Sequence, residues 1–118
     1  MDPRTLIRHL GKDIVHSIII PELQKRRFIK TQLSIKLLME KRDADGKSFM
    51  TRQDYFNSTL HTLGQNDDPE DFLSKAMAQI ERHIAAGTKE GSGWSVKGLI
   101  HIVVNVTQIE HFYDVDML

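Results

Sequence analysis

The sequence predicts an α+β fold: an antiparallel three-stranded sheet with an N-terminal helix and a second helix packed on one face, in the order α-β-β-α-β. Three observations lead there. Apolar residues recur at three- and four-residue spacing near the N-terminus and again between residues 68 and 86, the period of a helix face. Residues 28–40 alternate apolar and polar, the period of a half-buried strand. A second alternating run begins at Trp94. The 118 residues are what one hydrophobic core ordinarily serves, so a single domain is expected over 1–118. Within it lie an N-terminal helical segment (1–27), a ββαβ core (28–112) and a tail (113–118).

In the first element Asp2 can cap the helix and Pro3 suits its first position. Leu6, Ile7, Leu10, Ile14, Val15, Ile18 and Ile19 make one apolar stripe. Pro21 is expected to end or kink the helix near Ile20, and the β-branched run Ile18–Ile20 has an extended alternative. In the next element Ile29, Thr31, Leu33, Ile35, Leu37 and Met39 alternate with Lys30, Gln32, Ser34, Lys36, Leu38 and Glu40. The charged turn KRDADGK, with its Asp-Gly, leads into a second extended run from Ser48 to about Leu63, and so predicts an antiparallel hairpin. Alternation in that second run is imperfect, which predicts a bulge, an irregular stretch or partial pairing.

Asp67-Asp68-Pro69-Glu70-Asp71 combines capping carboxylates, a first-turn proline and acids at the positive end of the helix dipole. A helix follows to Ala86, burying Phe72, Leu73, Ala76, Met77, Ile80 and Ile84, with Gly87 as a left-handed stop. In the last strand Trp94, Val96, Ile100, Ile102, Val104 and Val106 share one face by parity, and Ser95, Lys97, Leu99, His101, Val103, Asn105 and Thr107 the other. Trp94 is thereby expected to be a core anchor against Phe72, Met77 and Ile80. Three strands leave two open edges, and pairing with a second copy would close one, so a homodimer is expected.

The chain has no cysteine, which excludes disulfides, thiolate nucleophiles and cysteine-ligated metals and fits an intracellular setting, nuclear or cytoplasmic. The aliphatic run Ile14–Ile20 is far shorter than the roughly 20 residues of a membrane helix, so no membrane span is expected. Lys plus Arg and Asp plus Glu number 16 each. The balance is uneven, with 12 basic against 7 acidic residues in 1–66 and 4 against 9 in 67–118. Such polarity can present a basic surface or let the two halves neutralise each other or a neighbouring copy.

Histidines 9, 16, 61, 83, 101 and 111 form no i, i+4 pair and no His-Glu-x-x-His, so no metal site is expected. The acids 67–71 are explained by helix capping and lack calcium-loop spacing. Gly91-Ser92-Gly93 enters a strand rather than a helix N-terminus, as a phosphate-cradling loop would; it reads as a tight αβ turn. No nucleophile motif or triad order stands out, and no catalysis, cofactor or small-molecule substrate is expected. Lys25-Arg26-Arg27 reads as a solvated helix end. The remaining candidate is the polar sheet face: Lys30 and Lys36 on one strand, Lys97 and His101 on the last, with Arg52 between them. These five residues are the candidate nucleic-acid contacts, suited to a phosphate backbone, and a solvated strand face has the same composition.

FIKTQLSIKLLMEK, FMTRQDYFNSTLHTL, FLSKAMAQIERHIA and above all GSGWSVKGLIHIVVNVTQ carry a resemblance over about Leu23 to Phe112. The chain resembles the region preceding the catalytic core in viral-type, protein-primed family B DNA polymerases and related Maverick/Polinton-like mobile-element proteins. It departs from that group after the last strand, reading IEHFYDVDML and stopping without a polymerase core. The resemblance implies a viral or mobile-element DNA context. The expected function is a non-enzymatic protein-interaction or oligomerisation module, with sequence-independent binding of DNA or RNA as the alternative.

Overall fold

The computed structural model describes residues 3–107 and 109–114, and side-chain surroundings for 5–107; the expected Asp2 cap lies outside them. The fold is α+β, with two helical stretches on one face of an antiparallel sheet.

The N-terminal stretch runs as α1 (Pro3–Ile14), a π turn (Val15–Ile19) and α2 (Ile20–Lys25). Of the expected end or kink near Ile20, the helical path therefore does not end but departs from regular α geometry just before Pro21, and the extended alternative for Ile18–Ile20 is not adopted. A proline in a regular α-helix would drive its ring into the carbonyl four residues back. In the wider turn the Ile20 N–H reaches back to the Val15 carbonyl, leaving room for Pro21. Ile7, Ile14, Val15 and Ile19 are buried, and Leu6, Leu10 and Ile18 pack against the core from its margin.

Strand β1 (Phe28–Arg42) is the centre of the sheet. All six residues expected to point inward, from Ile29 to Met39, are buried. The hairpin turn is held by the Asp43 carboxylate, whose Oδ1 accepts the N–H groups of Asp45 and Lys47 at 2.9 Å each; Gly46 adopts a φ of 80° that an L side chain resists. The second extended run is two strands, β2 (Ser48–Asn57) and β3 (His61–Gly64), laid end to end along the same edge of β1. Its broken alternation marks the break between them.

Helix α3 (Pro69–Gly87) starts on Asp68, whose Oδ1 accepts the Glu70 N–H at 3.0 Å. Its six expected core residues are all buried. Gly87 is not a left-handed stop: it stays helical, and Thr88 ends the helix, its N–H and hydroxyl both donating to the Ile84 carbonyl.

Strand β4 (Trp94–Val106) lies on the other side of β1, and β5 (Ile109–Asp114) pairs with β4. The sheet is thus five-stranded, β2-β1-β4-β5 with β3 paired to β1 beyond the end of β2, and exceeds the expected three. Pairing reaches Asp114 opposite His101, so the boundary placed at 112/113 falls inside a strand; residues 115–118 lie outside the described ones. Two bulges interrupt β4, where Ile100 and Lys97 have no partner in β1. Strict parity consequently fails at this point. Leu99 sits opposite Leu37 and is buried, while Ile100 is only half-buried.

Candidate functional site: the open sheet face and its free edge

The helices cover the Ile29–Met39 face of the sheet, and the opposite face is open. Residues directly opposite in an antiparallel pair share a face, so the register assigns each candidate. Tyr55, Lys36 and His101 form one row across β2, β1 and β4. The Lys36 Nζ lies 5.2 Å from the Tyr55 ring centre, and the Tyr55 and His101 rings are 5.9 Å apart. Tyr55 is 57% exposed, whereas His101 is 8% exposed. Lys30, six residues before Lys36 on β1, is exposed on the same face, roughly 20 Å along the strand.

The other two candidates are elsewhere. Arg52 stands opposite Met39, on the face that carries the helices, so it does not join Lys30, Lys36 and His101. Its guanidinium carbon lies 4.0 Å from the Trp94 ring centre, and its Nε donates to Asp54 Oδ2 at 2.9 Å. Lys97 is exposed at a bulge, outside the cross-strand rows. Trp94 is part-buried at the edge of the core, with Arg52 over its ring and the Lys41 Nζ 5.9 Å from its centre. It is less enclosed than the expected anchor, at an end of the sheet where Arg42 and Ser48 to Gln53 are also exposed. On the open face Glu40 is buried and accepts two bonds from Arg42, at 2.8 and 3.0 Å, which neutralises the charge of that exposed arginine.

Tyr55 is the residue that sequence reasoning missed. The turn held the signal: pairing outward from Asp43–Lys47, with one slip at Lys41/Arg42, puts Tyr55 opposite Lys36.

The free edge is the second feature. β2 ends the sheet, and Ser48 to Gln53 are all exposed. Phe49, Met50 and Tyr55 are each at least 50% exposed along it, Met50 on the helix-bearing face and Tyr55 on the open one. The molecule is elongated, 55 × 25 × 22 Å, which gives this edge length. Among the described residues no group of three or more His, Asp or Glu could hold a metal, and no helix is long and apolar enough to cross a membrane. No protein family, curated protein or solved structure matches this chain. The arrangement must be read from its own chemistry.

Proposed function

We propose that this chain is a non-enzymatic interaction module that assembles with a second copy through the free edge of its sheet. The observation that carries the reading is β2, a ten-residue edge strand paired on one side only, with exposed Phe49, Met50 and Tyr55. Such an edge templates further pairing unless it is short, bulged or guarded by charge; β2 is ten residues long with no lysine in it, and its one bulge, at Phe49, lies at its start and leaves Met50 to Asn57 in regular register. The resemblance noted above would place the module in a viral or mobile-element setting, inside the cell. Sedimentation equilibrium at roughly tens of micromolar, a range suited to moderate affinity, should show a dimer; monomer alone would overturn the reading.

A second reading is sequence-independent binding of DNA or RNA on the open face. It is favoured by Tyr55 lying beside Lys36 in one row and on one face with Lys30, since an exposed ring next to a lysine suits base stacking beside a phosphate backbone. Retention of labelled single-stranded DNA at low salt should fall steeply with added salt. It should be lost in a Lys30→Glu/Lys36→Glu variant with an unchanged melting temperature, and absence of retention by the parent chain removes this reading.

A further inference from the structure

We infer that two copies pair antiparallel through β2 about a two-fold axis at Gln53, so that Arg52 of each copy faces Asp54 of the other. This rests on the proposed self-assembly and specifies its register.

The backbone fixes which residues can take part. The Ser58 N–H donates to the Leu33 carbonyl, and hydrogen-bonded pairs alternate along an antiparallel ladder. With the register of β1 and β2, the peptide groups of Met50, Arg52, Asp54 and Phe56 turn toward β1. Those of Thr51, Gln53, Tyr55 and Asn57 turn outward. A second β2 must bond to this outward set, and two-fold symmetry then centres the pairing on an outward residue or between two bonded pairs.

The side chains choose among the registers. Centring on Gln53 sets Thr51 opposite Tyr55 in a hydrogen-bonded pair and sets Met50 opposite Phe56. It also sets Arg52 opposite Asp54 in the closer, non-hydrogen-bonded kind of pair, twice by symmetry. Each Arg52 already holds its own Asp54 at 2.9 Å, so the four charges would alternate in sign around the axis. Shifting the axis by one residue puts Arg52 against Arg52 or Asp54 against Asp54, and like charges directly opposite are destabilising. The β2 sequence is therefore self-complementary in one register and self-repelling in its neighbours.

The lack of cysteine in the chain makes the test direct. Gln53→Cys should oxidise to a covalent dimer, since paired residues in this geometry lie about 5.5 Å apart, within disulfide reach. Thr62→Cys on β3 should not. Arg52→Asp and Asp54→Arg should each raise the dimer dissociation constant by about tenfold or more, and the combined exchange should restore it to within about threefold of the parent. A urea melt followed by far-UV circular dichroism confirms that each variant is folded, and the Gln53→Cys result stands without the charge variants if one is not. A dimer that persists while Gln53→Cys fails to cross-link and the exchange fails to rescue would overturn this register and leave self-assembly standing. A parent chain that is monomeric throughout would overturn both.

Discussion

Ser58 completes the backbone ladder of Leu33 with its side chain. The Leu33 N–H donates to Ser58 Oγ at 3.0 Å, and the Ser58 N–H donates to the Leu33 carbonyl at 2.8 Å. The hydroxyl stands in for the carbonyl that a continuous strand would have supplied, and it donates in turn to the Thr59 carbonyl. The freed Ser58 carbonyl takes the Gln32 amide at 2.9 Å. One buried serine thus lets the chain leave β2 and rejoin the same edge as β3. Ser58→Ala should cost about 1–2 kcal/mol in urea unfolding, because it strands a buried donor, and the Leu33 amide should lose hydrogen-exchange protection first.

Thr31 presents the opposite case. It occupies a core position on β1 with no exposed surface, and its hydroxyl has no hydrogen-bond partner. A buried polar atom in that state lowers stability. Thr31→Val, which keeps the β-branch, should raise the unfolding free energy by roughly 1 kcal/mol; a fall in the urea midpoint would mean that the hydroxyl is satisfied.

Gly11 allows α1 and α3 to approach. A Cβ built on it would lie 2.7 Å from Leu73 Cδ1 and 3.1 Å from Cδ2. Gly11→Ala would ordinarily gain about 1 kcal/mol of helix propensity, but here it should lower stability by crowding Leu73. Leu73→Ala alone should cost about 2–5 kcal/mol. The double variant should then be more stable than the two changes predict additively, by roughly 1 kcal/mol in a double-mutant cycle.

Trp94 should behave as a rim residue. Part-buried and stacked on Arg52, it should give intermediate iodide quenching, and Trp94→Ala should cost about 1–2 kcal/mol, below the 3–5 typical of an enclosed ring. Arg52→Ala should shift its emission to longer wavelength. Unchanged emission would mean that the stack is absent in solution.

The regular parts of the fold were legible because burial there follows one period. The stripe of α3 and the inward row of β1 could be read residue by residue. What escaped are places where a single side chain overrides the period. Pro21 widens a helix turn instead of ending it, Ser58 splits one strand into two, and the unpaired Lys97 and Ile100 break the parity of β4. The site suffered for the same reason. Lys30, Lys36 and His101 lie where regular alternation puts them, while Arg52 and Tyr55 depend on the hairpin register, which apolar content alone did not settle.

The two bulges also set a contour length. Between Trp94 and Val106 strand β4 spends thirteen residues alongside the eleven of β1 from Thr31 to Lys41. At about 3.3 Å per residue the surplus is roughly 7 Å of chain, which bulged strands take up as bend and twist. Removing Lys97 and Ile100 together would leave every cross-strand partner in place, since neither has one in β1. The ribbon would then relax toward a straighter path, and its largest dimension in small-angle scattering should lengthen while the inward row from Val96 to Val106 remains in the core.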